Sequence, residues 1–150
     1  MAHYSVNVTG EAIAATQVET ILQVAAGSTK PIRVSRWGVS FNGVDVTKQP
    51  VRVELIRLTS DGTSSAFVPK KMDPNSEASI AQGRTAHTAE PVAGDVLEVV
   101  YVSPAGGYLV EVYSAGYPDE RPIVAPNGRI GIRVLATDAV NVNAFLIFDE

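Results

Sequence analysis

The chain has no cysteine among its 150 residues and only two histidines. The missing cysteines exclude a disulfide framework and a thiolate metal site. Catalytic and metal-binding histidines act with partners at a defined spacing, and neither His3 nor His87 has such a partner in the sequence. We therefore expect no catalytic residue, no cofactor and no metal ion, and we interpret His87 as a surface or hydrogen-bonded residue.

Charge is also scarce, since charged residues make up 19% of the chain against about 25% in a typical soluble domain. The surface is then either unusually neutral or partly covered by another subunit. A net charge of −4 does not supply the basic face that nucleic-acid binding needs. No apolar run approaches the roughly 20 residues of a membrane span, and the first residues lack a signal-peptide pattern. We expect neither nucleic acid nor a membrane as a partner.

The loops that serve common enzyme chemistries are missing as well. The sequence contains no G-x-S-x-G nucleophile loop and neither of the glycine-rich phosphate loops. The densest acidic cluster, Asp119 and Glu120, is typical of a solvated turn. A hydrolase with two carboxylates in a cleft stays open as an alternative, because their separation in space is not visible in a sequence.

What the chain does contain is alternation of apolar and polar residues, the pattern of half-buried strands. About eight strands separated by regular turn signals predict an all-β fold, a jelly-roll-like β-sandwich formed by residues 17–150 as a single domain. Apolar residues on both faces of DVLEVVYVS predict a central strand. Asp73, Pro74 and Gly83 predict one short helix at about 74–82.

The run PIRVSRWGVSFNG changes its apolar parity in mid-strand. Val34 belongs to one face and Trp37 to the other, so the pattern predicts either a β-bulge near Ser35 and Arg36 or two successive strands. Gly38 indicates a close approach of another group to the backbone there. A bulge would place both Val34 and Trp37 in the core.

A second interpretation of the aromatic residues stays open. Trp is a common stacking surface in sugar-binding sandwiches, so Trp37 is either a core residue or a platform for a saccharide. In a carbohydrate-binding module, Tyr108, Tyr113 and Tyr117 would extend that platform. Exposure of these rings would distinguish the two hypotheses.

The first 16 residues are mostly small or polar with weak periodicity, and we interpret them as an extended N-terminal arm outside the sandwich. The arm is either a frayed terminus or a segment that docks on a neighbouring molecule. Such a segment buries little apolar area against its ordering cost of about 1–2 kcal/mol per residue. We therefore expect the arm to order only against a partner, with Tyr4 and Ile13 as anchors, and its deletion to leave the domain folded.

The last strand, VNVNAFLIFDE, carries Phe145 and Ile147 on its second face. A closed ring of subunits would bury that face, which predicts a homo-oligomer. Arg129 and Arg133 lie in another strand-like run. They either pair across the sheet with acids such as Glu54 or contribute to a partner-facing patch, where Arg is enriched.

Four stretches, WGVSFNG, VRVELIRLTSDGTSS, TAEPVAGDVLE and RIGIRV, together with the strands between them, resemble small structural proteins of tailed bacteriophages over residues 18–150. The resemblance implies a non-enzymatic virion protein that decorates the capsid exterior. It also implies a homotrimer, the phage major capsid protein as partner and assembly in the host cytoplasm. A receptor-binding or carbohydrate-binding module of a tail or head fibre is the alternative. No binding residue follows from the resemblance.

Overall fold

The computed structural model describes residues 1–42, 49–114 and 116–150 of the chain. Among these residues, twelve strands and one 3₁₀ turn, Pro118–Glu120, make up the regular structure. The strands are β1 His3–Ile13, β2 Val18–Ala25, β3 Ile32–Asn42, β4 Val51–Leu58, β5 Thr63–Phe67, β6 Lys70–Lys71, β7 Gln82–Ala89, β8 Ala93–Val102, β9 Tyr108–Val112, β10 Ile123–Val124, β11 Arg129–Leu135 and β12 Val140–Asp149.

These strands form two antiparallel sheets. Sheet A has the order β10–β3–β12–β1–β6, and β9 also pairs with β3. Sheet B has the order β5–β7–β2–β11–β4–β8. The first four strands alternate between the sheets, so each pair of neighbours in the chain bridges the two layers. The predicted all-β sandwich is confirmed, whereas the jelly-roll description stays a prediction.

The core lies between the inner faces of the two sheets and is almost entirely aliphatic. Trp37 and Phe148 are its largest fully buried side chains. The alternation of apolar and polar residues places the apolar side chains in the core, because successive side chains of a strand point to opposite faces. Sheet A contributes every second residue of β12, namely Val140, Val142, Ala144, Leu146 and Phe148, and sheet B contributes Ile130, Ile132 and Val134 from β11.

The parity change in β3 is a β-bulge, as predicted. Arg36 pairs with Ile147 and Val34 pairs with Phe148, so Ser35 is the extra residue. The Ser35 hydroxyl donates a 3.1 Å hydrogen bond to the Ile147 carbonyl, which stabilises the irregular backbone. The bulge turns both Val34 and Trp37 toward the core, where each is fully buried.

The extended N-terminal arm is a wrong prediction, because β1 is an integral strand of sheet A. It pairs with β12 along nearly its whole length, and Tyr4 and Ile13 are buried in the core. The pairing shifts between Val8 and Glu11, where Gly10 has a φ of +68°. This bulge changes the parity of the apolar residues, which is why the alternation of the segment looked weak.

The short helix at 74–82 is also wrong. That segment is a series of bends and turns between β6 and β7. The Asp73 carboxylate accepts a 2.9 Å hydrogen bond from the Asn75 backbone N–H, so the capping residue closes a local turn instead of starting a helix. Further along, the Glu150 carboxylate accepts the Ile80 backbone N–H at 3.0 Å. The C-terminus of β12 therefore holds this loop against the sandwich.

Candidate functional surfaces

The outer face of sheet A is built from three rows of side chains that cross β9, β3, β12 and β1. The rows follow from the register of the strands. From β9 toward β1, the three rows are Tyr108–Ser40–Asn143, Val110–Gly38–Phe145–Asn7 and Val112–Arg36–Ile147–Ser5. The predicted contact residues Phe145 and Ile147 thus lie side by side on this face, and both are half-buried.

Gly38 creates a depression in the middle row. A Cβ atom at this position would lie 2.5 Å from Cε1 of Phe145 and 2.7 Å from the Leu109 carbonyl oxygen. Phe145 therefore lies flat over the glycine, and the Arg36 guanidinium lies 5.5 Å from the centre of its ring, within cation–π range. The close approach predicted at Gly38 is present, and the phenyl ring makes it.

Asn143 organises the end of the same face. Its Nδ2 donates to Asn42 Oδ1 at 2.7 Å, and its Oδ1 accepts the Gly10 backbone N–H at 2.9 Å. The amide therefore links β3, β12 and the bulge of β1. A side chain held at both of its polar atoms has a fixed orientation, so the surface around it is rigid.

Between these features lies an open groove of about 400 Å³. Phe145 lines it at β12, Tyr108 and Val110 lie along one side, and Asn7 and Thr9 are on the opposite side. The Tyr108 side chain is 76% exposed. Among the residues that the structure describes, none that lines the groove is charged.

Sheet B carries a separate apolar surface at its β8 edge. Val92, Val96, Val99 and Tyr101 are all exposed there, the tyrosine to 66%, and we call these four residues the β8 surface. The register of β8 against β4 shifts near Leu55, which brings Val96 and Val99 to the same outer face. The prediction of a central strand is wrong, since β8 pairs only with β4 among the described strands.

The aromatic platform proposed around Trp37 is not formed. Trp37 is fully buried, and its Nε1 donates to the Tyr113 hydroxyl at 3.1 Å. Tyr113 in turn donates to the Glu98 carboxylate. Burial is the largest cause that raises the pKa of the tyrosine, and this hydrogen bond is the second largest. Trp37 and Tyr113 therefore stabilise the interior. Among the described residues of the predicted platform, only Tyr108 and Tyr117 are exposed.

Arg129 and Arg133 make ion pairs within the chain. Arg129 Nε lies 2.5 Å from Asp61, and this contact lowers the pKa of the aspartate. Arg133 contacts Glu54 at 2.6 Å across the β11–β4 ladder. The cross-strand pairing considered for the strand arginines is therefore confirmed for Arg133. Both arginines lie on sheet B, on the opposite side of the sandwich from Phe145.

The predicted contact residues thus divide into three groups. Tyr4 and Ile13 are core residues and cannot anchor a partner, which corrects that prediction. Phe145 and Ile147 share the outer face of sheet A, and the two arginines lie in ion pairs on sheet B. Sequence reasoning missed the β8 surface, although the apolar residues on both faces of DVLEVVYVS were its signal.

His87 is a residue of β7, the strand that pairs with β2 in sheet B. Its Nε2 is 3.0 Å from Gln23 Oε1, while Gln23 Nε2 donates to the Ser60 carbonyl at 3.0 Å. The hydrogen-bonded role predicted for His87 is therefore confirmed. Within the described part of the chain, no group of three or more acidic or histidine side chains is placed to hold a metal ion.

No family model, no curated protein and no solved structure matches the chain. None of the described segments forms a helix with the length and apolar character needed to cross a membrane.

Proposed function

We propose that the protein is a non-enzymatic structural subunit of a virion, which associates with copies of itself and decorates the outside of a tailed-phage capsid. The resemblance of residues 18–150 to phage structural proteins supports the virion assignment. The β8 surface supports self-association and is the single observation that carries the proposal.

An exposed edge strand with apolar side chains is a liability for a soluble monomer. Its unpaired backbone groups and its hydrophobic face recruit other chains unless something covers them. β8 runs from Ala93 to Val102 without a lysine or a proline. Its exposed charge, at Asp95, and its register shifts lie in its first half, so the half that carries Val99 and Tyr101 is left without these common edge protections. Coverage by another subunit removes this liability, and it agrees with the low charge content of the chain.

The chemistry of the β8 surface fits a protein interface. Interface cores are enriched in tyrosine and depleted of charge, as at Val99 and Tyr101. The charges nearest to them are neutralised within the chain, because Arg52 contacts Glu54 at 2.7 Å and Arg133 contacts the same carboxylate. A partner that packs against Tyr101 therefore leaves no unpaired charge beneath it.

Three subunits are proposed on the resemblance, since an apolar surface does not specify the number of copies. Light scattering is the test of self-association, with a trimer expected at three times 15.9 kDa. The variant Tyr101→Asp should shift the particle toward the mass of one chain. Tyr117→Asp, at an exposed loop tyrosine, is the matched control and should keep the parent mass. A parent that is monomeric at micromolar concentration contradicts self-association.

Co-sedimentation with phage capsids that lack the protein tests decoration. The parent chain should co-sediment until a fixed number of sites is filled, and a competing excess of unlabelled protein should displace it. A protein that forms stable oligomers but stays in the supernatant with such capsids contradicts decoration while leaving self-association intact. The two parts of the proposal are thereby tested separately.

A further inference from the structure

We infer that the groove on the outer face of sheet A is a binding site for a neutral saccharide. The inference does not depend on the proposed assembly, because the groove and the β8 surface lie on opposite sheets. It rests on the charge, the chemical character and the oriented side chains of the groove.

The lining of the groove matches an uncharged ligand. Its polar groups are amides and hydroxyls, and no charged residue lines it in the described part of the chain. Arg36 lies on the neighbouring row, but its guanidinium is placed over the Phe145 ring. An ammonium group would find no counter-charge in the groove, so its desolvation would not be offset. An anionic group could pair with the exposed Arg36 beside the lining, so the uncharged lining itself is what favours a neutral ligand.

A saccharide also matches the two-sided character of the groove. One face of a pyranose ring presents C–H groups that pack on an aromatic ring, and its edges present hydroxyl groups. Tyr108 offers an exposed ring with a polar tip. Ser40 pairs with it on β3, and Asn7 lies on the opposite side of the groove, on β1. The Asn7 side chain is exposed and makes no hydrogen bond with another described residue, so its amide is free to serve as both donor and acceptor.

Two residues of the groove are already oriented by contacts within the chain. Asn143 is held at both ends of its amide, and Phe145 is held between Gly38 and Arg36. Side chains that are already oriented lose little conformational entropy on binding, and this favours higher affinity. A volume of about 400 Å³ lies within the range of about 300–1,000 Å³ that small-molecule sites occupy.

The test is titration with neutral hexoses, N-acetylhexosamines and their disaccharides, followed by amide chemical shifts and by calorimetry. At least one of these sugars should shift the amide signals of Gly38, Val110 and Asn143 in a saturable manner. Tyr108→Ala should weaken its binding at least tenfold, and Asn7→Ala several-fold. Tyr101→Ala, at the exposed tyrosine of the other sheet, is the matched control and should bind as the parent does.

Three results would overturn the inference. The first is that no saccharide of the panel binds. The second is that uronic or sialic acids bind more tightly than every neutral sugar. The third is that Tyr108→Ala lowers the particle mass while sugar binding is absent, which would make the groove a contact between protein subunits. Loss of mass in Tyr101→Asp with sugar binding retained would separate this site from the proposed assembly.

Discussion

The Trp37 indole nitrogen donates a 3.1 Å hydrogen bond to the Tyr113 hydroxyl. This contact links a fully buried core residue to a half-buried side chain. Tyr113 follows β9, whereas its acceptor Glu98 lies on β8. The hydroxyl thus connects the two sheets through one chain of polar contacts. Buried polar groups of this kind stabilise a fold only while every member has its partner.

Truncation of the indole should be severe. Trp37→Ala removes a fully buried aromatic side chain and is expected to lower the free energy of unfolding by about 3–5 kcal/mol. Tyr108→Ala, which truncates an exposed ring on the adjacent strand, should change it by about 0.5 kcal/mol or less. Urea denaturation of both variants measures the difference. Equal losses for the two variants would contradict the burial of Trp37.

Removal of the hydroxyl alone tests the polar chain. Tyr113→Phe leaves the Trp37 N–H and the Glu98 carboxylate without their common partner, at an expected cost of about 1–3 kcal/mol. Tyr117→Phe is the control, because its exposed hydroxyl makes no hydrogen bond with another described residue. If both variants unfold at the same urea concentration as the parent, the hydroxyl does not stabilise the interior.

Gly38 should resist even the smallest substitution. In Gly38→Ala the new methyl group would lie 2.5 Å from a carbon of the Phe145 ring, so the ring or the strand must shift. Overpacking of this kind costs about 1–3 kcal/mol. In Gly116→Ala the methyl group would meet, among the described residues, Ser114 Oγ at 3.5 Å, an ordinary contact, and stability should stay near that of the parent. Thermal unfolding of the pair is the measurement, and an unchanged melting temperature for Gly38→Ala would disprove the close contact.

The β-sandwich and the bulge of β3 could be predicted from the sequence, because both follow from the local alternation of apolar and polar residues. β1 was not, because the bulge at Gly10 reverses the parity of its apolar residues and so erases the periodic signal. Its true partner is β12, at the other end of the chain. Pairing with β12, and over two residues with β6, provides the main-chain hydrogen bonds that, together with the burial of Ile13, offset the ordering cost of the segment.

The two candidate surfaces were harder to predict for a related reason. The sequence of β8 has apolar residues on both faces. It does not indicate whether a strand of the same chain or another subunit covers the second face. The groove combines Asn7, Ser40, Tyr108 and Phe145 from four strands. Their proximity depends on the long-range register of sheet A, which no local pattern contains.

His87 should make stability depend on pH. Burial, its largest influence, lowers the pKa of His87, and Arg84 acts in the same direction, while Glu90, a backbone hydrogen bond to Thr20 and Asp61 oppose the shift. Gln23 uses its N–H group on a backbone carbonyl, so its oxygen accepts from Nε2 of the neutral imidazole. Protonation of the ring would add a buried charge, and the net effect of these contacts disfavours that charge.

The sign of this effect follows from proton binding. Below a pH of about 6.5, the usual pKa of histidine, the unfolded chain binds a proton that the folded chain does not, so stability falls as the pH falls. The contribution is complete above that pH and is lost progressively down to the lowered pKa of the folded state. His87→Gln should flatten this part of the profile, as measured by urea denaturation between pH 5 and 7.5. Identical slopes for variant and parent would show that His87 is not responsible.

Removal of β1 should prevent folding, in contrast to the behaviour expected of a free arm. Deletion of residues 2–13 takes Tyr4, Val6 and Ile13 out of the core and leaves one side of β12 without its partner strand. A point variant keeps the test quantitative, since Ile13→Ala should cost about 2–5 kcal/mol. Thr9→Ala, an exposed position on the same strand, should cost about 0.5 kcal/mol or less. Circular dichroism of the truncated chain and urea denaturation of the two point variants supply the measurements. A truncated chain that melts cooperatively at the parent temperature would restore the interpretation of this segment as a dispensable arm.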